Sequence, residues 1–221
     1  YASQGELAAK GREAPVAAWL AVAAVAQPGA RVRRRDVPMM GRSTELALMQ
    51  AAVDFTLTNS QAALVAVDGE GGVGKGRIVD ELLESTREAQ SAFIMEGYSV
   101  PYGEANVWWP IATALFDHFD LDASTYFGSP RDTTDAFLDE LFSDADAATR
   151  TQLSEALLHL LGAPSKLDDV DPVVARDGIT RAVTAVLEAR LRSGPVMLSI
   201  TDLHWADPAV LALCEHLLIA L

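Results

Sequence analysis

The chain has 221 residues, 50% of them hydrophobic, and a formal net charge of −14. This length allows one ordinary domain plus a smaller piece, and the apolar content argues against intrinsic disorder. The negative charge argues against binding to nucleic acid or to an anionic membrane, because both attract basic surfaces. Cys214 is the only cysteine, which excludes an internal disulfide and suits the reducing cytoplasm, where we expect this protein.

The chain begins with a short predicted β element. Residues 5–25 indicate a turn plus a strand, and a cluster of turn-forming residues and a basic run follow them. The basic run fits a solvated linker, and contact with phosphate is the alternative. We therefore divide the chain into residues 1–26, a linker at residues 27–36 and a main domain at residues 37–221.

Apolar periodicity after the linker predicts helices that alternate with strands. Helices are expected at residues 41–55, 75–89, 111–119, 134–142, 147–161, 173–191 and 208–221. The first of them is expected to place Leu46, Leu48, Met49 and Val53 on its apolar face. Apolar runs predict strands at residues 62–67, 92–98 and 196–200, the first and last of them buried. This alternation implies an α/β fold with a parallel sheet covered by helices on both faces, and we expect it to be incomplete at its C-terminal end.

A glycine-rich turn lies between the first predicted strand and the second predicted helix. Residues 69–75, with the sequence GEGGVGK, match the G-x-x-x-x-G-K pattern of a phosphate-binding P-loop. In such a loop the backbone N–H groups surround phosphate oxygens, and the helix N-terminus adds its positive dipole. A plain glycine-rich turn is the alternative. The predicted phosphate-binding residues are Gly69, Gly71, Gly72, Val73, Gly74, Lys75, Gly76 and Arg77.

A P-loop needs an acidic partner at the end of a second strand. Asp202 fills this position, because it follows residues 196–200 at the carboxyl edge, where ligands bind in open α/β sheets. Asp202 is our predicted catalytic and metal residue, either holding Mg²⁺ through water or orienting an attacking water. A capping role is the alternative. Trp205 is expected to anchor the core, and Trp108 and Trp109 are expected to pack at a helix start.

Four motifs in this order resemble STAND-type AAA ATPase domains. Residues 40–46 (MGRSTEL) are similar to their G-R-x-x-E-L segment, residues 67–75 to their Walker A motif, and residues 96–110 to their G-x-x-x-P-Y-G-E…W-P segment. Residues 201–208 (TDLHWADP) resemble their Walker B motif, E-D-L-H-W-A-D-P. The resemblance covers residues 35–221 and implies a P-loop NTPase-like fold with ATP or ADP as ligand. It also implies that Gly41 and Arg42 lie beside the nucleotide.

The N-terminal residues resemble a second family. Residues 5–19 are similar to the last hairpin of class III nucleotidyl cyclase domains, which ends K-G-x-x-x-P-V-x-x-[WY]. The metal-binding aspartates of such cyclases are absent, so this chain is not a complete cyclase. The two resemblances together imply a cyclase-linked signalling regulator. Its other parts, a cyclase domain and C-terminal helical domains, would then be the partners of this chain.

Two departures from these patterns concern Mg²⁺. Gly76 replaces the P-loop Ser or Thr, and Thr201 replaces the first acidic residue of the resembled Walker B motif. Three functions therefore remain open: a regulatory nucleotide-binding domain with weak or absent hydrolysis, a working Mg²⁺-dependent ATPase, and a degenerate scaffold that acts through protein contacts. Gly76 and Thr201 separate the first two functions, and the intact glycines with Lys75 separate the first from the third.

Overall fold

The computed structural model describes residues 2–7, 14–20, 39–100, 106–118 and 129–221. The chain divides into two compact units, residues 1–31 and residues 32–221. The linker predicted at residues 27–36 lies outside the described residues, and so do residues 101–105 of the third resembled motif.

The first unit contains an antiparallel hairpin. Strand β1 (Ala2–Leu7) pairs with β2 (Val16–Leu20), with Ala2 opposite Leu20 and Leu7 opposite Val16. The register shifts between Ser3 and Gly5, where Gly5 has a φ of 72°. A strand within residues 5–25 was predicted, and β2 lies there.

In its described residues, the second unit contains seven helices and two strands. Its elements are α1 (Ser43–Asn59), α2 (Lys75–Glu88), β3 (Phe93–Tyr98), α3 (Trp109–His118), α4 (Pro130–Leu141), α5 (Ala147–Leu160), α6 (Pro172–Leu191), β4 (Val196–Thr201) and α7 (Pro208–Ala220). The seven predicted helices correspond to these seven within a few residues. Asp207 caps the last helix, because its Oδ1 accepts a hydrogen bond from the N–H of Ala209 at 2.8 Å.

Strands β3 and β4 form a parallel pair with helices packed on both faces. Their register runs from Phe93 opposite Val196 to Tyr98 opposite Thr201. Leu198 packs against the larger core, which helices α3 to α7 build. Met197 points the other way, because side chains alternate along a strand, and packs against a smaller core from α1 and α2. The parallel arrangement therefore follows the predicted α/β class, with two strands in the described part of this sheet.

The strand predicted at residues 62–67 is wrong in this structure. Residues 61–69 have no regular secondary structure, and Leu64 is 70% exposed. A strand exists only when its backbone pairs with a neighbouring strand, and β3 and β4 pair with each other. Apolar character alone therefore did not place this segment in the sheet.

The predicted apolar face of α1 needs one correction. Met49 is buried, and Leu46 and Val53 are packed against the smaller core. Leu48 is 68% exposed, because it lies two residues from Leu46 and therefore on a different side of the helix. Within the described residues, no helix combines the length and hydrophobicity that crossing a membrane requires.

Glu155 of α5 is buried and links α5 to two neighbouring segments. Its carboxylate accepts hydrogen bonds from Arg131 Nη1 of α4 at 3.1 Å and from the backbone N–H of Lys166 at 2.7 Å. Burial acts to raise the pKa of Glu155, but the hydrogen bonds from the Lys166 backbone and from Arg131 outweigh it. The pKa therefore lies below the ordinary value of 4.5.

We predict that Glu155→Gln lowers the free energy of unfolding at neutral pH by about 1–2 kcal/mol, because a neutral amide replaces an ionised acceptor beside two donors. The folded-state pKa is depressed, so this stabilisation is present above pH 4.5 and is lost as the pH falls through the folded-state pKa. Urea denaturation across this pH range measures it, with the exposed Glu140→Gln as matched control. Equal unfolding free energies for Glu155→Gln and wild type at neutral pH would contradict this role.

Candidate nucleotide site

The glycine loop precedes α2 as the sequence predicted. Gly74 is the N-cap of α2 with a φ of 94°, and Gly72 has a φ of 81°. Glycine adopts these left-handed conformations readily, because it lacks the Cβ atom that makes them sterically unfavourable for other residues. A Cβ added at Gly72 or Gly74 would meet no atom within 4 Å. The loop therefore leaves open space beside its glycines, as a phosphate site requires.

Lys75 is the first residue of α2 and folds back over the loop. Its Nζ donates hydrogen bonds to the carbonyl oxygens of Gly69 at 2.7 Å and Glu70 at 2.9 Å. The ammonium group thus already lies against the loop that the P-loop pattern assigns to phosphate. A nucleotide phosphate would compete with these two carbonyl oxygens for the hydrogen bonds of Lys75. The negative charge of the phosphate would make it the stronger acceptor.

Arg42 lies against the same loop, although it is 31 residues from Val73 in sequence. Its Nη2 donates to the carbonyl oxygen of Val73 at 3.3 Å, and its Nη1 pairs with Glu45 Oε1 at 2.6 Å. The hydrogen bond from Arg42 lowers the pKa of Glu45. Gly41 precedes it with a φ of 72°. The structure therefore brings the segment at residues 41–42 to the glycine loop.

The next two predicted residues lie in the first turn of α2. Gly76 is partly buried and offers no hydroxyl group at this position. Arg77 Nη2 pairs with Glu81 Oε2 at 3.3 Å, one helical turn further on. The charge of Arg77 therefore lies near the helix N-terminus, but a carboxylate of the same helix is its partner in this structure.

Asp202 lies at the carboxyl end of β4 and is exposed. Its backbone is left-handed, with φ 59° and ψ 36°, where it begins the short 3₁₀ turn Leu203–Trp205. Aspartate adopts this conformation more readily than most residues, though at some cost in free energy, and such residues cluster at functional sites. Thr201 ends the strand, and its carbonyl oxygen accepts the N–H of Ser99 at 3.0 Å. The predicted strand-end position of Asp202 is therefore present.

A cavity of about 330 Å³ lies beside the carboxyl ends of β3 and β4. Its walls include Ser99 and Trp109 from the segment after β3 and Trp205 from the segment after β4. Trp205 is 52% exposed, so the prediction that it anchors the core is wrong, because the 3₁₀ turn presents it to solvent. Trp108 is 5% exposed and belongs to the core, as predicted.

Several features of this region had no clear signal in the sequence. The pairing of Glu45 with Arg42 is one of them, although both residues belong to the G-R-x-x-E-L segment and lie three positions apart. Ser99 Oγ and Trp109 Nε1 are buried without a hydrogen-bond partner among the described residues. The part of the chain that the structure describes contains no cluster of three or more His, Cys, Asp or Glu side chains arranged to hold a metal.

A glycine loop before a helix, a lysine at the first position of that helix and an aspartate at the end of a parallel strand are features of P-loop nucleotide-binding domains. The chain belongs to the AAA ATPase domain family, whose model matches residues 38–220. The family has the P-loop α/β fold and indicates nucleotide binding, generally of ATP or ADP with Mg²⁺.

The chain is also similar to an uncharacterized protein of Rhizobium meliloti (strain 1021). The two are 28% identical over 218 residues, which is 94% of this chain and 20% of that protein. The chain therefore spans about a fifth of the length of this relative. No solved structure matches the chain significantly.

Proposed function

We propose that this chain is the ATP- and ADP-binding regulatory domain of a larger signalling protein, with weak or absent hydrolysis. The observation that carries the proposal is the arrangement of Lys75 and the glycine loop at the N-terminus of α2. Lys75 Nζ lies 2.7 Å from the carbonyl oxygen of Gly69, beside glycines whose open side leaves room for phosphate. In this proposal residues 69–77 hold the phosphates, and Gly41 and Arg42 lie at the edge of the site.

The proposed regulatory role, with weak or absent hydrolysis, rests on two Mg²⁺-binding groups that this site lacks. A P-loop Ser or Thr hydroxyl and the first of the two Walker B acids normally help to hold Mg²⁺ at the nucleotide phosphates. Here Gly76 has no side chain, and Thr201 is neutral and partly buried at the end of β4. Mg²⁺ retains several water ligands readily, so it can still arrive with the nucleotide. Phosphoryl transfer depends on precise positioning, and a loosely held ion supports it poorly.

A working Mg²⁺-dependent ATPase is the second candidate. Asp202 favours it, because this carboxylate stands at the exposed end of β4, where it could hold the metal through water or orient an attacking water. Titration of the longer protein with ATP and ADP in the presence of Mg²⁺, beside a turnover assay, separates the candidates. Nucleotide binding without turnover supports the regulatory domain. Nucleotide binding with turnover that depends on Lys75 supports the Mg²⁺-dependent ATPase.

For the parent protein we propose a cytoplasmic, cyclase-linked regulator of the STAND type. Two features support this proposal: the β1–β2 hairpin at residues 2–20 and the similarity of residues 5–19 to the last cyclase hairpin. This chain spans a fifth of the relative from Rhizobium meliloti, so that protein is long enough to contain further domains. Cyclase and C-terminal helical domains would then receive the nucleotide-dependent signal. Measuring cyclase activity of the full-length protein with and without Lys75→Ala tests this link.

The double variant Gly76→Ser with Thr201→Glu is expected to strengthen the dependence of ATP affinity on Mg²⁺. It supplies one hydroxyl ligand and one acidic side chain at the two positions that lack them. In the unmodified protein, Mg²⁺ should improve ATP affinity only modestly. Calorimetric titration with and without Mg²⁺ measures both effects, and the single variant Gly76→Ala controls for loss of the glycine. A large Mg²⁺ effect already in the wild type would contradict the prediction.

A further inference from the structure

Arg42 contacts the glycine loop at a carbonyl group. Its Nη2 donates to Val73 O at 3.3 Å, and its Nη1 is held by Glu45 Oε1 at 2.6 Å. A guanidinium group is a rigid planar fork, so the bond to Glu45 restricts the direction of the remaining N–H groups. Glu45 therefore helps to direct Arg42 toward the peptide that joins Val73 to Gly74.

The direction of this carbonyl fixes the direction of an N–H group. In a planar trans peptide the C=O of one residue and the N–H of the next point in opposite directions. Since the Val73 carbonyl faces Arg42, the N–H of Gly74 faces away from Arg42. Gly74 is the N-cap of α2, and N–H groups at a helix N-terminus are the ones that bind phosphate.

We propose that Arg42 is a positioning residue that acts through the loop. It holds the Val73–Gly74 peptide in the orientation that presents the Gly74 N–H to phosphate, and Glu45 holds Arg42 in place. This inference rests on the proposed nucleotide-binding function. It gives Arg42 a different role from a direct contact with the base or the sugar.

The two roles predict different ligand dependence. If Arg42 shapes the phosphate cradle, its loss weakens every ligand that carries a diphosphate, including inorganic pyrophosphate, which has no base or sugar. If Arg42 contacts the base or the sugar, its loss weakens ADP and leaves pyrophosphate unchanged. Arg42 is exposed, so its truncation removes little packing and should leave the fold intact.

The test is calorimetric titration of wild type, Arg42→Ala and Arg42→Lys with ADP and with pyrophosphate. Arg42→Ala should weaken both ligands by a similar factor of about five, which is modest because the contact is exposed. Arg42→Lys should restore part of the loss, since lysine keeps a charged donor but cannot bridge Glu45 and Val73 as a fork. Arg181→Ala is the matched control, because Arg181 is exposed on α6.

A spectroscopic readout on the ligand-free protein accompanies the titration. In a ¹⁵N-labelled sample, Arg42→Ala should shift the amide resonance of Gly74, and Arg181→Ala should not. Weakened ADP binding with unchanged pyrophosphate binding would overturn the inference. Unchanged affinity of Arg42→Ala for both ligands would overturn it as well, and so would an unchanged Gly74 resonance.

The same experiment distinguishes failure of this inference from failure of the proposed function. Lys75→Ala, titrated in parallel, reports whether the loop is the binding site. If Lys75→Ala loses affinity while Arg42→Ala does not, the proposed function stands and the role of Arg42 is rejected. If the wild type binds neither ligand, the proposed function fails and this inference fails with it.

Discussion

Replacing Lys75 by alanine is expected to weaken ATP and ADP binding roughly ten- to 150-fold. The substitution removes a charge-assisted hydrogen bond to phosphate, worth about 1.5–3 kcal/mol. In the structure Lys75 Nζ donates hydrogen bonds to the carbonyl oxygens of Gly69 and Glu70. Nucleotide binding would exchange these two hydrogen bonds for bonds to phosphate, so part of the gain is offset. We therefore expect the loss of affinity to lie in the lower half of this range.

Calorimetric titration of both proteins with ATP and ADP measures the effect. Lys166→Ala is the matched control, since it removes the same charge from a lysine whose side chain is 76% exposed and lies outside the proposed site. We expect the control to bind nucleotide as the wild type does. Equal affinities of wild type and Lys75→Ala would show that the nucleotide site is elsewhere.

The variant Gly97→Ala should lower the free energy of unfolding by about 3 kcal/mol or more. A Cβ at Gly97 of β3 would lie 1.9 Å from the carbonyl oxygen of Pro110 and 2.9 Å from its carbonyl carbon. These are backbone atoms at the start of α3, so no side-chain rotation relieves the overlap. The helix would have to move away from the sheet, and overpacking of this kind is strongly destabilising.

Chemical denaturation of Gly97→Ala beside Gly178→Ala tests this packing. Gly178 lies inside α6, where a Cβ would meet only Leu167 Cδ1 at 3.2 Å, the end of a flexible side chain. Alanine is also favoured over glycine by about 1 kcal/mol within a helix, so Gly178→Ala should be close to neutral or stabilising. If Gly97→Ala has the same free energy of unfolding as the wild type, the close approach of β3 and α3 is contradicted.

Helices were predictable from the sequence because their determinants are local. Periodic apolar residues and caps such as Asp207 act within a few residues of each other, and α7 begins at Pro208 as expected. The strand predicted at residues 62–67 failed for the opposite reason. Strand formation depends on a partner that is distant in sequence, and the apolar run carries no information about which strands pair.

The exposure of single side chains was less predictable than the elements that carry them. Leu48 and Trp205 are large and apolar, and both were expected in the core, yet they are 68% and 52% exposed. Their exposure depends on which side of a helix or turn packs against its neighbours, which is a tertiary property. Trp108, by contrast, lies directly before α3 and is buried against the core as expected.

The candidate site was predictable where a motif is continuous. The glycine loop and Lys75 occupy one short segment, and the structure places them at the N-terminus of α2. The bonds from Lys75 to two loop carbonyls and the bond from Arg42 to Val73 were not foreseen. Both depend on side-chain conformations that the sequence pattern does not specify.

Measuring whether the full-length protein hydrolyses bound ATP tests the central claim most directly. ATP labelled at its γ-phosphate is added with Mg²⁺ to an excess of protein, and release of phosphate is followed over time beside Lys75→Ala. We predict that the wild type binds ATP and releases phosphate slowly or not at all, whereas Lys75→Ala binds ATP more weakly. Rapid Mg²⁺-dependent phosphate release by the wild type, lost in Lys75→Ala, would contradict the account and show that Asp202 suffices for catalysis.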